Sequence, residues 1–198
     1  MIRTPLAFIP YLLALAAVCG GLLWHLGDEA APGHTQAYGR ADIGGPFVLV
    51  DQNGVRRTEK DFLGKFQLIY FGYTHCPDVC PLTLSVMAGA LEKLGESADH
   101  IEPVFITVDP ARDRPKILKD YVASFGTRFT ALTGSSEEIA RVTREYRVYV
   151  EREPAANGGY AVNHSSRIYL MDPDGRFVGV YDETLGPDGL AKALRARL

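Results

Sequence analysis

The alternation of strand-like and helix-like patterns constrains the fold of this chain more than any other feature. The apolar run at residues 67–73 has the length and composition of a central strand buried on both faces. A helical pattern follows it, from about Cys80 to Gly95, with apolar residues three and four positions apart. Another strand pattern follows at residues 101–108. This order predicts an α/β fold with a mixed central sheet flanked by helices.

Shorter signals of the same kind predict the other elements. The turn sequence at residues 52–54 predicts a hairpin between the strands on either side of it. Residues 157–159, rich in glycine, are predicted as a loop. Further strands are predicted at residues 47–51, 55–58, 129–132, 148–151, 167–172 and 177–181, and further helices at residues 114–126, 136–146 and 187–198.

The N-terminus carries an uncharged apolar run at residues 6–24. As a helix it would be about 28 Å long, close to the ~30 Å core of a bilayer. Arg3 precedes the run and acidic residues follow it, so the rest of the chain is expected on the outer face. We predict a transmembrane anchor at residues 1–26, a linker at 27–42 and one domain at 43–198. A cleaved signal peptide, or a lipid on Cys19, remains an alternative.

Composition excludes some classes of function. The net charge is −3 and no block of Lys and Arg occurs, so nucleic-acid binding has no electrostatic support. Of the three cysteines, only Cys76 and Cys80 lie in the domain. One pair of cysteines can form at most one disulfide, so the domain is not a disulfide-rich fold. A close pair is typical of metal or redox chemistry.

The cysteine pair lies between a predicted central strand and the helix that follows it. The N-terminus of a helix favours thiolate, which is the form that binds metal or attacks a disulfide. Three residues separate Cys76 from Cys80, whereas the usual thioredoxin-like redox motif has two. In helical geometry their Cα atoms would lie about 6 Å apart, which also permits a disulfide.

The best candidates for a third ligand are the five histidines, since Met87 and Met171, which could also bind copper, have the spacing of core residues. His164 precedes a predicted strand, in a loop that can approach the first helix across the sheet, and it ranks first. The others lie in the anchor, the linker, a distant loop or beside Cys76: His25, His34, His100 and His75. Two thiolates and an imidazole fit Cu(I), or zinc with a fourth ligand.

Residues 70–81 (YFGYTHCPDVCP) resemble the signature of the Sco/SenC family of copper chaperones. Matching segments follow in the same order at residues 44–47, 107–113, 146–149 and 164–172, so that the resemblance covers residue 43 to the C-terminus. It implies a thioredoxin-like domain behind a membrane anchor. It also implies copper, as Cu(I) or Cu(II), bound through Cys76, Cys80 and His164. The role implied is assembly of the CuA centre of cytochrome c oxidase.

Three further residues are expected near the site. Asp78 lies between the cysteines, where it would tune the site or dock a partner, although attraction of an acid to a helix N-terminus explains it equally well. Asp109 and Arg112 are expected to hold a strand-to-helix turn beside the ligands.

Two functions are therefore expected of the cysteine pair. The first is a copper metallochaperone whose partner is the CuA-bearing oxidase subunit. The alternative is a thiol–disulfide reductase, an enzymatic activity that would keep the cysteines of that subunit reduced. Other periplasmic copper chaperones and thioredoxin-like reductants are further expected partners. A peroxidase is less compatible with a second cysteine four residues on.

No transit peptide precedes the anchor, which favours the bacterial inner membrane with the domain in the periplasm.

Overall fold

The computed structural model describes residues 42–126, 128–154 and 158–198. The predicted anchor, and the linker up to residue 41, lie outside these residues. Within the described ranges, no helix combines the length and the apolarity that crossing a membrane requires. The α-helices there are α1 (Val79–Leu94), α2 (Pro115–Ala123), α3 (Ser136–Glu145) and α4 (Gly186–Arg195).

The strands of the described residues form a seven-stranded sheet and a separate two-stranded sheet. In the large sheet the strand order is β2-β1-β5-β4-β3-β8-β9, with β3, β4 and β5 parallel and the other pairs antiparallel. This confirms the mixed α/β architecture. The strands are β1 (Val48–Asp51), β2 (Arg56–Thr58), β3 (Phe66–Gly72), β4 (Ile101–Thr107), β5 (Thr130–Thr133), β6 (Val150–Pro154), β7 (Tyr160–His164), β8 (Ile168–Met171) and β9 (Phe177–Tyr181).

Strand β3 is central because its side chains are apolar on both faces. Leu68, Ile69, Tyr70 and Phe71 are each at most 1% exposed, as the unbroken apolar run predicts. Burying each such side chain contributes about 1.5–3 kcal/mol before the loss of chain entropy is counted. The strand ends at Gly72, where the chain turns toward the cysteine pair.

Helix α1 places one cysteine of the pair in its first turn. Its buried side chains recur three and four residues apart, so that Cys80, Leu84, Met87 and Leu91 share the face that packs on the sheet. Gly95 follows the last turn with φ +59°, a conformation that glycine adopts without strain. The predicted helix is therefore confirmed, and it begins one residue earlier than expected.

The hairpin formed by β6 and β7 was only half predicted. A strand near residues 148–151 was expected, followed by a loop, and His164 was placed in a loop. In the structure β7 pairs with β6, and His164 is the last residue of β7, opposite Val150. The prediction of a loop was wrong because β7 is short and Val162 is its one buried residue, so its apolar signal is weak.

Candidate metal and redox site

The structure brings Cys76, Cys80 and His164 together at the end of β3. Cys76 lies in the turn after β3, Cys80 lies in the first turn of α1, and His164 ends β7. The Cys80 Sγ is 3.4 Å from His164 Nε2. The backbone N–H of Cys80 donates to Cys76 Sγ at 3.5 Å. Two thiols and one imidazole, distant in sequence, are thus neighbours.

Cys76 precedes the helix, since α1 begins at Val79, so helical geometry does not extend over the whole cysteine pair. The N–H of Cys76 donates to the carbonyl of Tyr73 at 3.3 Å, which closes a turn. This turn carries the Cys76 thiol back over the start of the helix. Both thiols are free, with Cys76 half-buried and Cys80 buried.

The spacing of the donor atoms is close to that of ligands sharing one ion. Sulfur and nitrogen ligands at about 2.3 and 2.0 Å from an ion, at tetrahedral or trigonal angles, lie about 3.5–3.8 Å apart. The 3.4 Å between Cys80 and His164 is slightly shorter. Within the described ranges, no three His, Cys, Asp or Glu side chains already stand as a finished metal site. The three side chains instead contact one another.

The two thiols differ in acidity. A hydrogen bond from Cys80 lowers the pKa of Cys76 to about 3, opposed by burial and assisted by His164 and by the N–H groups of Asp78 and Cys80. The same hydrogen bond and deeper burial raise the pKa of Cys80. Cys76 is therefore the thiolate of the pair, and Cys80 keeps its proton.

We expect alkylation of the metal-free, reduced protein to occur at Cys76 and to persist in mild acid. An ordinary cysteine, with a pKa near 8.5, reacts about tenfold more slowly for each pH unit below it. Because the pKa of Cys76 is about 3, its thiolate persists at pH 5, and its rate should change less than about twofold between pH 8 and 5. Mass spectrometry of iodoacetamide-labelled peptides measures this, with the urea-unfolded chain as control. Equal labelling of Cys80 at pH 5 would contradict the assignment.

The surroundings of His164 fix its tautomer. The Nδ1 atom lies 3.1 Å from the carbonyl oxygen of Ser165, which only accepts, so Nδ1 carries the proton. The other ring nitrogen, Nε2, then faces Cys80, which is the orientation that a metal-binding histidine needs. The Tyr70 and Tyr73 rings pack against the imidazole in T-shaped arrangements, with centroids 6.2 and 5.9 Å away.

Two residues of the site were missed by sequence reasoning. The Tyr70 hydroxyl is 3.5 Å from Cys80 Sγ and 3.2 Å from Ser166 Oγ. The buried carboxylate of Asp113 accepts bonds from the backbone and hydroxyl of Thr74 and from the hydroxyl of Thr107. Asp113 belongs to the segment matched at residues 107–113, so a signal for it was present. No sequence signal distinguishes Tyr70.

The other residues expected near the site have different positions. Asp78 is exposed at the N-cap of α1, and its carboxylate makes no capping hydrogen bond. Asp109 is fully buried and pairs with Arg112, and its carbonyl accepts from the N–H groups of residues 112 and 113. These contacts hold the turn after β4. His75 is exposed and hydrogen-bonds to the Thr74 hydroxyl at 3.0 Å.

Curated relatives share most of the domain. SCO1 homolog 1 of Arabidopsis thaliana, named as mitochondrial, is 44% identical over 162 residues, which are 79% of this chain and 48% of that protein. A SCO2-like protein of Rickettsia prowazekii is 44% identical over 138 residues, 69% of this chain and 67% of that protein. The chain matches 48% and 61% of the lengths of the Arabidopsis and Schizosaccharomyces pombe relatives.

Solved structures and a family model agree with these relatives. The structure of Bradyrhizobium japonicum ScoI with copper bound has a TM-score of 0.74 and 46% identity, covering 79% of this chain and 99% of that chain. Arabidopsis thaliana ScoI with copper bound has a TM-score of 0.74 and 43% identity, covering 77% and 95%. The family model described as SCO1/SenC matches residues 35–198. The chain therefore belongs to the SCO1/SenC family.

Proposed function

We propose that this chain is a copper metallochaperone that binds one copper ion through Cys76, Cys80 and His164. Its acceptor is the CuA-bearing subunit of cytochrome c oxidase. The observation that carries the proposal is the grouping of two cysteine sulfurs with one histidine ring nitrogen at one end of the sheet. The copper-bound ScoI structures from Bradyrhizobium and Arabidopsis support the choice of metal.

The three donors suit an ion that has to be handed on. Thiolate and imidazole are the ligand types that soft Cu(I) prefers. The Cys76 thiolate is available without the loss of a proton, and Cys80 releases its proton as the ion binds. Tyr70 then remains as a hydrogen-bond donor to the Cys80 sulfur. Because Cys76 is half-buried, an acceptor thiolate can approach from its side and replace the donors one at a time.

The proposal includes the setting of the domain. Residues 1–26 anchor the chain in the bacterial inner membrane, residues 27–42 form a tether, and the domain faces the periplasm. The uncharged run at residues 6–24 supports the anchor. The relatives include proteins named as mitochondrial and one from the bacterium Rickettsia prowazekii.

The test is copper loading of the full-length chain under reducing conditions, followed by X-ray absorption spectroscopy. One copper per chain with sulfur and nitrogen ligands is expected, the nitrogen contribution disappearing in His164→Ala. Cys76→Ser and Cys80→Ser should lose the ion. The matched control is His100→Ala, an exposed histidine just before β4, remote from the pair. If all three site variants bind copper as the unmodified protein does, the proposal is wrong.

A second function is favoured by the asymmetry of the two thiols. A reactive, half-buried thiolate beside a buried thiol is the arrangement of a disulfide reductase. Cys76 would attack a partner disulfide and release one partner thiolate. Cys80, losing its proton to the departing partner sulfur, would then attack the Cys76 sulfur of the mixed disulfide. The partner leaves with both sulfurs reduced, and a Cys76–Cys80 disulfide remains. His164→Ala should keep this activity while losing the nitrogen ligand, which separates the two functions.

A further inference from the structure

The position of His164 depends on whatever holds the β6–β7 hairpin. Among the described residues this hairpin is a sheet of its own, unpaired with the seven-stranded sheet that leads to the cysteines. His164 is its last residue, so the ladder of the large sheet does not fix its distance from Cys80. The short link of residues 165–167 to β8, which pairs with β3, sets part of that distance, and contacts between the hairpin and the body of the domain set the rest.

One face of β7 carries part of those contacts, and Arg152 of β6 adds an ion pair with Asp109 at 3.7 Å. Tyr160, Val162 and His164 alternate along the strand and therefore project to the same side, with neighbours about 6.6–6.8 Å apart. Val162 is buried in the middle of the row. His164 lies against the thiols at one end. Tyr160 lies at the other end of this row, four residues before His164.

Tyr160 is tied to the turn after β4 by both its side chain and its backbone. Its hydroxyl donates to Asp109 Oδ1 at 2.7 Å. The Arg112 guanidinium carbon lies 4.0 Å from the centre of its ring, and Arg112 Nη1 donates to its carbonyl at 3.1 Å. Asp109 pairs with Arg112 and is fully buried. These contacts form a closed set in which each of the three residues touches the other two.

The same turn is fixed to the cysteine side of the site. Val108, next to Asp109, donates its N–H to the carbonyl of Gly72 at 2.8 Å, at the end of β3. Arg112 also lies 5.6 Å from the centre of the Tyr73 ring, which packs edge-on against His164. The turn therefore contacts both the strand that leads to Cys76 and the strand that carries His164.

We propose that Tyr160 is a positioning residue, which, with Asp109 and Arg112, fixes the hairpin so that His164 meets the two thiols. The effect of Tyr160 on copper binding rests on the proposed function, whereas its effect on the position of His164 in the metal-free protein does not. Residues that orient a metal-binding histidine typically change metal affinity 10–100-fold when they are removed. For Tyr160 we expect a loss of copper affinity at the lower end of this range. The hydrogen bond from Arg112 to the backbone carbonyl of residue 160 remains when the side chain is changed.

The test compares Tyr160→Leu and Tyr160→Phe in the full-length chain. The leucine variant loses the ring and the hydroxyl, and should bind Cu(I) about tenfold more weakly, with a smaller nitrogen contribution in X-ray absorption. The phenylalanine variant keeps the ring over Arg112 and should lose about two- to threefold. The control is Tyr149→Phe, which removes an exposed hydroxyl bonded to Glu151, apart from the turn. It should behave as the unmodified protein.

Proton–proton contacts between the rings of His164 and Tyr73 give the metal-free readout by nuclear magnetic resonance. They should be present in the unmodified protein, weaker in Tyr160→Phe and absent in Tyr160→Leu. If the leucine variant keeps both these contacts and the nitrogen ligand, the inference is overturned. Should the leucine variant not fold, unchanged contacts and affinity in Tyr160→Phe overturn it. If the unmodified protein shows no nitrogen ligand, the proposed function fails, and the ring contacts still decide the role of Tyr160.

Discussion

Replacing Asp113 with leucine should lower the free energy of unfolding by about 3–5 kcal/mol. The carboxylate is fully buried and accepts three hydrogen bonds, two from Thr74 and one from Thr107. Leucine would leave the buried Thr107 hydroxyl unpaired and would remove the partner of the two half-buried Thr74 donors, and each unpaired buried group costs about 1–3 kcal/mol. Asp113→Asn should cost less, because its amide oxygen still accepts and the threonine hydroxyls can rotate to meet its NH₂.

Urea unfolding followed by circular dichroism measures this loss. The control is Asp99→Asn, which removes an exposed ion pair with Arg128 and should leave the unfolding midpoint unchanged. An Asp113→Leu midpoint equal to that of the control would show that the buried hydrogen bonds contribute nothing. Thr74 lies two residues before Cys76, so the loosened turn should also raise the reactivity of Cys80 toward iodoacetamide.

The elements around the cysteine pair were predictable because their signals are local. Strand β3 has an unbroken apolar run, and α1 has buried residues at helical spacing. The position of the pair between them follows from chain order alone, as in any open α/β sheet. The choice of Cys76, Cys80 and His164 needed only the types and spacing of a few side chains, together with the family resemblance. Their contact is a finding of the structure.

The contacts that orient the ligands were not predictable in the same way. Tyr70 and Tyr160 have the sequence pattern of packing residues, yet their hydroxyls contact Cys80 and Asp109. The direction of a hydroxyl depends on the helices and strands that pack around it, and the spacing of apolar residues in the sequence does not predict that packing. The prediction of the hairpin was incomplete for a related reason. Strand β7 pairs only with β6, and it is too short to show a clear alternation of apolar and polar residues, on which strand prediction depends.

The close packing of Gly72 against Cys80 and two aromatic rings predicts a second large effect on stability. Gly72→Ala should lower the free energy of unfolding by about 1–3 kcal/mol and displace the Cys80 thiol. A Cβ at this position would lie 2.9 Å from ring atoms of both Tyr70 and Phe105 and 3.0 Å from Cys80 Sγ. These neighbours are all fully buried, so they cannot move aside without disturbing the core.

The matched control is Gly179→Ala on β9, where a new Cβ meets nothing within 4 Å. Both changes add one methyl group to a strand glycine, so propensity effects are shared and the difference isolates the crowding at Gly72. The Cys80 sulfur is also held by the Tyr70 hydroxyl and lies beside His164, so its displacement should weaken copper binding as well as stability. Equal unfolding midpoints for the two variants would mean that the space beside Cys80 is not limiting. A lower midpoint with unchanged copper affinity would mean that the methyl group is accommodated on the Phe105 side.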